Sequence, residues 1–172
     1  MRSNNEMPGH LARRFQQIAV AIFHAEVAKA GSDVTPVQYA ALEAIRANPG
    51  IDQATLAGLI AHDRATITGV VDRLAQKALL VRQPSRRDRR ARELHLTEDG
   101  QAALAQIRPA VDAAQDIMLR GLDANESEEL MRLLLKAVTA VNDLSRAPMR
   151  TEADEGRTDG RNMAGSRVKT CP

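Results

Sequence analysis

Basic side chains are concentrated in one short part of this 172-residue chain. Residues 63–92 contain nine arginines or lysines and three acids, a net charge of +6, whereas the whole chain carries +2 and the remainder therefore −4. Guanidinium groups bind phosphate oxygens through charge-assisted hydrogen bonds, and positive charge gathered on one surface is typical of proteins that meet a polyanionic backbone. The chemistry that these residues indicate is recognition of nucleic acid.

The densest part of this region is a loop with the sequence RRDRRAR at residues 86–92. Its arginines surround the single acid Asp88 and are Arg86, Arg87, Arg89, Arg90 and Arg92. Because like charges repel, an ordered loop of this composition favours a bound anion. We expect one or two of these arginines in a DNA minor groove and the others on phosphates, with Asp88 bracing the loop. A solvated loop without a partner is the alternative.

The segment before this loop predicts an amphipathic helix from Asp63 to about Lys77. At 100° per residue, one face is apolar and consists of Ile67, Val70, Val71 and Leu74. The opposite surface carries the candidates for DNA contact, which are Arg64, Ala65, Thr66, Thr68, Gly69 and Arg73. The small residues would let the backbone settle into a major groove, while the hydroxyls and guanidiniums suit base edges or phosphates. An ordinary solvated helix face is the alternative. The neighbouring arginine loop favours the interpretation that this face contacts DNA.

Capping residues and apolar periodicity predict the elements that position this helix and loop. A helix runs from about His10 to Lys29, and the next starts at Thr35 and stops before Asn48. Asp52 and Asp63 each suit the cap of a further helix. Weakly alternating residues 80–84 and 93–96 predict a two-stranded hairpin on either side of the basic loop.

Two more helices are expected after the hairpin. Thr97 caps the first, which contains Pro109 and should be kinked there or lose one hydrogen bond, and Asp123 or Asn125 caps the second, which reaches Leu144. The predicted fold class is mostly α, a winged helix-turn-helix whose long terminal helices form a dimerisation bundle. The DNA-binding lobe covers about residues 34–98, and the dimerisation helices cover about 9–30 and 98–147, within one subunit spanning 9–148.

Both ends of the chain lack periodic patterns. Residues 1–8 are expected to be a flexible arm, and residues 149–172, rich in Gly, Arg, Asp, Glu and Ser, a disordered tail. The first helix instead carries two apolar stripes, one with Leu11, Phe15 and Ile18 and the other with Phe23 and Val27. A helix apolar on more than one face packs on more than one side, so one stripe should meet its own core and the other a partner.

Composition excludes several other classes of protein. Cys171 is the only cysteine, so an internal disulfide and a cysteine-based metal cluster are impossible. No apolar run suggests a membrane span or a signal peptide, so we expect a cytoplasmic protein. The four histidines fall on separate elements without metal-ligand spacing, and no nucleophile or phosphate-loop motif is present. An enzyme, a metal site and a cofactor are therefore not expected.

Three segments together resemble the MarR family of bacterial transcriptional regulators. They are DRATITGVVDRL at Asp63–Leu74, DRRA at Asp88–Ala91 and LHLTEDG at Leu94–Gly100. The similarity extends through the helix order from about Pro8 to Leu144. One departure is Ala78, where the family often has a glycine that ends the recognition helix. The segment PGHLARRFQQIAVAIFHAE resembles regulators of nicotinate catabolism.

This resemblance implies a homodimer that binds a near-palindromic operator, as a repressor released by a small aromatic acid. Thr66, Thr68 and Arg73 would then contact bases or phosphates, and Arg90 would be the wing arginine. Two recognition helices that reach successive major grooves lie about 34 Å apart. Some relatives sense oxidants through a cysteine near the first helix, where this chain has none. A dimeric helical adaptor without specific DNA binding is the alternative function.

The same resemblance places an effector between the dimer helices and the DNA-binding lobe. A cation or hydrogen-bond donor beside an aromatic ring suits a flat carboxylate. The candidates are polar or aromatic residues on otherwise apolar helices, namely His10, Arg14, Phe15, His24, Tyr39 and His62. A structural or surface role is the alternative for each of them.

Overall fold

The computed structural model describes residues 7–85 and 92–150. Six helices and three short strands follow one another as α1 Pro8–Lys29, α2 Pro36–Ala47, β1 Ile51–Asp52, α3 Gln53–Leu59, α4 Arg64–Gln76, β2 Leu80–Pro84, β3 Arg92–Leu96, α5 Glu98–Leu119 and α6 Ala124–Ala140, with a 3-10 turn at Asn142–Leu144. The predicted mostly α, winged helix-turn-helix fold is confirmed. None of the helices within these ranges has the length and apolar character needed to cross a bilayer.

Side-chain caps define where most helices begin. The predicted caps accept backbone N–H groups at the starts of α2 to α6, and they are Thr35, Asp52, Asp63, Thr97 and Asp123. Each satisfies donors that have no partner inside the helix. α1 is the exception, because it begins at Pro8, two residues earlier than expected, without a side-chain cap. Proline suits that first position because its missing N–H would be unpaired anyway.

The sheet has one strand more than the hairpin predicted. Its order is β1-β3-β2, all antiparallel, with Ile51 opposite Leu94 and Leu80 opposite Leu96. β1 contains only two residues, too few to produce a recognisable alternation. It fixes the inner strand of the hairpin to the start of α3.

Two apolar clusters hold the protomer together. The larger one fills the central lobe, residues 34–98, and its completely buried members include Leu42, Leu56, Ile67, Val71 and Leu74. The smaller one joins α1 to α5 and consists of Phe23, Val27, Val34, Ile107 and Val111. Tyr39 packs against both clusters. The lobe and the long helices are therefore in direct contact through α2.

The apolar surfaces of α1 and α6 are left uncovered by the rest of the described chain. Phe23 and Val27 belong to the core, whereas Leu11, Phe15 and Ile18 are exposed. α6 buries no side chain, and several of its large apolar residues are exposed, including Met131, Leu134, Leu135 and Val138. The two stripes of α1 thus have different surroundings, one internal and one open.

The carboxyl-terminal part of the chain departs from the prediction. The last helix ends at Ala140, four residues before the expected Leu144, and a 3-10 turn follows. Beyond this turn, the side chain of Asn142 bonds the backbone N–H and carbonyl of Met149. Met149 and Arg150 are consequently held in place, although both were assigned to a disordered tail. Residues 1–6 and 151–172 lie outside the described ranges.

Two helices end in left-handed residues that are alanine rather than glycine. Ala61, after α3, has a φ of 51°, and Ala78, after α4, has a φ of 58°. At α4, the N–H of Ala78 donates to the carbonyl of Ala75, and the N–H of Leu79 to that of Leu74, each at 3.0 Å. These two bonds form a Schellman motif, which closes the helix and aims the chain into β2. The turn therefore forms without a glycine at position 78.

We expect Ala78→Gly to raise the free energy of unfolding by about 1 kcal/mol. The left-handed conformation costs an alanine roughly 1–2 kcal/mol, which exceeds the extra freedom of glycine in the unfolded chain. Urea unfolding of the two proteins measures the difference. The matched control is Ala102→Gly at an exposed position inside α5, where the same change should cost about 1 kcal/mol. Equal effects of the two substitutions would show that Ala78 is not strained.

Candidate nucleic-acid interface

α3, the turn after it and α4 form a helix-turn-helix unit in the central lobe. The apolar face of α4 is buried and consists of Ile67, Val70, Val71 and Leu74, as predicted. The six predicted DNA contacts on α4 are exposed or partly exposed, and they are Arg64, Ala65, Thr66, Thr68, Gly69 and Arg73. Burial of one face therefore leaves the polar face of α4 open to a ligand.

The first turn of α4 is held by a two-point hydrogen bond between Asp63 and Thr66. The N–H of Thr66 donates to Asp63 Oδ1 at 2.9 Å, and its hydroxyl donates to Oδ2 at 2.6 Å. These bonds lower the pKa of the Asp63 carboxyl, which keeps it ionised at the positive end of the helix dipole. The hydroxyl proton of Thr66 is thus used within the protein, and its methyl group and an oxygen lone pair remain for a base.

The hydroxyl of Thr68 also has partners in the protein. It donates to the carbonyl of Arg64 at 2.9 Å and accepts from Gln53 Nε2 at 2.6 Å. Gln53 is the first residue of α3, and sequence reasoning missed it, although a polar residue directly after the cap Asp52 was the available signal. The geometry brings the amide of Gln53 to the outer surface of α4, where it can meet a base edge or a phosphate.

The centre of the outer face is small. A Cβ atom built on Gly69 would meet no neighbouring atom within 4 Å, so nothing within residues 7–85 and 92–150 covers this position. Arg73 follows one helical turn later, is exposed and has no ion-pair partner among residues 7–85 and 92–150. An open, small surface beside an unpaired guanidinium is the shape that lets a helix approach the floor of a groove.

The base of the wing is attached to α4 by polar contacts. Asp72 on α4 forms an ion pair with Arg82 on β2, and the hydroxyl of Thr97 donates to the carbonyl of Ala78 at 2.6 Å. Lys77 reaches Asp33 at 2.5 Å, and its hydrogen bond lowers the pKa of that carboxyl. The first two contacts set the direction in which the hairpin leaves the recognition helix, and the third ties the end of α4 to the segment between α1 and α2.

Gly100 explains part of the LHLTEDG motif. A Cβ atom at this position would lie 2.0 Å from the carbonyl oxygen of Leu79, so only glycine lets α5 start against the chain between α4 and β2.

The wing loop itself lies outside the described residues. The contacts predicted for Arg86, Arg87, Arg89 and Arg90, and the brace predicted for Asp88, therefore stay predictions.

The predicted effector residues are distributed over separate places. Arg14 and Phe15 line an apolar groove of about 480 Å³ between α1 and α6, together with Leu11, Ile18 and Leu134. His62 lies at a different surface, beside Arg64, where its Nδ1 is 2.7 Å from the carbonyl oxygen of Ile60. His10 is half-buried on α1 and lines neither of these cavities.

Tyr39 lies at the junction between the central lobe and the long helices. Its ring is 6.1 Å from that of Phe23, which in turn meets the exposed His24 edge-on at 6.1 Å. The hydroxyl of Tyr39 donates to Glu43 at 3.2 Å, and Arg108 on α5 pairs with the same carboxylate at 3.1 Å. Burial, followed by the charge of Glu43, raises the pKa of Tyr39, so its hydroxyl stays protonated at neutral pH.

Glu43 and Arg108 were not identified from the sequence. They lie 65 positions apart, and nothing in a periodic pattern pairs a residue of α2 with one of α5. No group of three or more potential metal ligands occurs among the residues that the structure describes. The polar network around Tyr39 joins α2 to α5 through one hydrogen bond and one ion pair.

Residues 32–91 match the sequence profile of the MarR family. The HTH-type transcriptional repressor NicR of Pseudomonas putida is 33% identical over 133 residues, which cover 77% of this chain and 83% of NicR. The match includes the helix-turn-helix unit and extends beyond it into the flanking helices.

Solved structures have the same fold. PcaV from Streptomyces coelicolor, in complex with its natural ligand, superposes with a TM-score of 0.75 at 32% identity, covering 82% of this chain and 98% of PcaV. BpsR of Bordetella bronchiseptica, whose DNA binding is regulated by 6-hydroxynicotinic acid, superposes with a TM-score of 0.75 at 31% identity, covering 80% and 96%. Helix-turn-helix geometry, sequence similarity and fold agree, and the chain belongs to the MarR family of DNA-binding transcriptional regulators.

Proposed function

We propose that this regulator is a homodimeric repressor that binds a near-palindromic operator and is released by a small aromatic carboxylate. The observation that carries the proposal is the open face of α4, where Arg73 and Gly69 lie beside a hairpin fixed to the same helix. In a two-fold dimer this face occurs twice, and a palindromic site repeats the matching base sequence. Repression is the activity named for the relative NicR.

The exposed apolar surfaces of α1 and α6 support the dimer. Leu134 is 39% exposed, and Leu11 is 50% exposed in the same groove. Apolar surface of this extent on two long helices is typical of a face that a second subunit covers. The apolar stripe of α1 that stays outside the core continues this surface.

Two features support an aromatic acid as effector. Arg14 and Phe15 line the same groove, and Arg14 has no ion-pair partner within the described part of the chain. Tyr39 and His24 lie beside Phe23 at the junction through which a ligand would influence α4. BpsR responds to 6-hydroxynicotinic acid, an aromatic carboxylate, and PcaV also has a natural ligand.

Replacing Arg73 with Ala should weaken operator binding and its salt dependence. Loss of one phosphate contact lowers the slope of log Kobs against log salt by about 0.9, and loss of a contact to guanine costs about 1–3 kcal/mol of discrimination. Fluorescence anisotropy between 50 and 200 mM salt measures both quantities. Arg120→Ala, at the far end of α5, removes the same charge and should have little effect. If both variants bind like the parent protein, α4 is not the reading helix.

Introducing a charge at Leu134 should dissociate the dimer. A carboxylate buried without a partner costs several kcal/mol, so Leu134→Asp should raise the dimer dissociation constant by at least about 100-fold. Sedimentation velocity over a concentration series measures the change. Asn125→Asp adds the same charge at the first turn of α6, where the helix dipole tolerates it. A Leu134→Asp protein that sediments as an intact dimer would place the interface elsewhere.

Calorimetric titration with 6-hydroxynicotinic acid and related aromatic acids tests the effector. We expect one of these acids to release heat on binding and to lower operator affinity. Arg14→Ala should weaken that binding about 10- to 100-fold, because a charge-assisted hydrogen bond contributes about 1.5–3 kcal/mol. Arg13→Ala, which removes the neighbouring exposed charge, is the control. An acid panel that gives neither heat nor DNA release removes the effector hypothesis and leaves the DNA-binding one intact.

A further inference from the structure

The chain turns back after α6 and contacts the helix-turn-helix unit. The N–H of Arg150 donates to the carbonyl of Gly58, in α3, at 3.0 Å. The side chain of Asn142 donates to the carbonyl of Met149 at 2.9 Å and accepts its N–H at 2.9 Å. The last two residues of the segment 145–150, which we name the carboxyl-terminal arm, are thus bonded to folded elements.

Gly58 provides the surface on which the arm lies. A Cβ atom at this position would be 2.8 Å from Cδ and 3.1 Å from Cγ of Arg150. The aliphatic part of the Arg150 side chain therefore packs directly on the backbone of α3. A side chain at position 58 would push it away. This glycine has an ordinary helical φ, so its small size rather than its flexibility is what the contact uses.

The arm brings two arginines next to the recognition helix. Arg146 and Arg150 line one cavity of about 700 Å³ together with Arg64, the first residue of α4. All three are exposed and have no ion-pair or hydrogen-bond partner for their guanidiniums within residues 7–85 and 92–150. Asp63 and Asp143 also line the cavity, but the carboxylate of Asp63 is occupied by its bonds to Thr66.

We propose that the carboxyl-terminal arm is a further DNA-contacting element, in which Arg146 and Arg150 bind operator phosphates beside the first turn of α4. The proposal rests on DNA binding by α4 and adds contacts from a part of the chain outside the helix-turn-helix and wing. Unpaired guanidiniums at the amino end of a recognition helix lie where phosphates flank the groove.

The geometry favours DNA over a small anion as the ligand of this arm. Small-molecule sites bury most of their ligand and surround it with apolar residues, whereas these arginines are exposed. A phosphate backbone does not have to enter a cavity, since it contacts exposed cations from outside.

The first test removes the charges and measures the salt dependence of binding. The probe is the DNA duplex recovered by selection from a random pool, titrated with the full-length protein. If Arg146 and Arg150 each hold one phosphate, the double variant Arg146→Gln and Arg150→Gln should lower the slope of log Kobs against log salt by about 1.8. Arg120→Gln is the matched control and should leave the slope unchanged. An unchanged slope in the double variant overturns the proposal.

A second test keeps every charge and disturbs only the contacts that hold the arm against α3 and Asn142. Asn142→Ala removes both bonds to Met149, and Gly58→Ala displaces the stem of Arg150 while favouring the helical state of α3. Each should weaken duplex binding by about threefold or more, with circular dichroism confirming the fold. If the double arginine variant changes the slope but neither Asn142→Ala nor Gly58→Ala alters affinity, the two arginines bind DNA without needing the contact between the arm and α3, and that part of the proposal is wrong.

Two further measurements separate this proposal from its alternatives. Calorimetric titration with benzoate tests whether the arm binds a small anion instead. If the double variant at Arg146 and Arg150 loses benzoate binding while its slope of log Kobs against log salt is unchanged, the DNA assignment is overturned. Arg73→Ala in the same DNA assay tests α4 independently of the arm. If Arg73→Ala lowers affinity and the arm variants do not, only the arm proposal fails, whereas a parent protein that binds no duplex ends both proposals.

Discussion

Burial of one face of α4 is the constraint on which the rest of the structure depends. Ile67, Val71 and Leu74 are completely buried, and they fix both the rotation of this helix about its axis and its depth in the lobe. Completely buried side chains tolerate little displacement in a close-packed core. The polar face of α4 is therefore presented in one orientation, and the caps, the short sheet and the wing contacts all maintain that orientation.

The second constraint is the connection between α4 and the long helices. The lobe core and the α1–α5 cluster share Tyr39, and the polar side of this junction is closed by Glu43 and Arg108. A ligand that changes the spacing of α1 and α5 would act on α2 first and on α4 through the shared core. Interfaces of this kind switch between discrete arrangements rather than deforming gradually, which suits a regulator that holds or releases DNA.

Local signals predicted most of the fold. Thr35, Asp52, Asp63 and Thr97 were identified as caps, and Asp123 as one of two candidates, because a capping side chain and its helix are adjacent in sequence. β1 was missed because two residues carry no period, and its pairing is with a strand about 40 positions later. The end of α6 was placed too late because the apolar spacing continues to Leu144, whereas the chain passes into a 3-10 turn after Ala140.

The outer face of α4 was also predictable, because helical rotation alone separates Thr68 and Arg73 from the buried Leu74. Contacts between distant segments were not. Gln53 with Thr68, Glu43 with Arg108 and Gly58 with Arg150 each join separate elements, and a single sequence contains no pattern that pairs them. The candidate effector residues illustrate the same limit, since side chains that were chemically suitable lie at several places in the fold.

Selection of bound DNA from a random pool at physiological salt tests the central claim most directly. We expect the enriched sequences to share a near-palindrome of roughly 16–20 base pairs, with half-sites about one helical turn apart, because two copies of α4 would read successive major grooves. Enrichment of no preferred sequence, with binding that depends on salt alone, would contradict sequence reading by α4 and leave only a nonspecific basic surface.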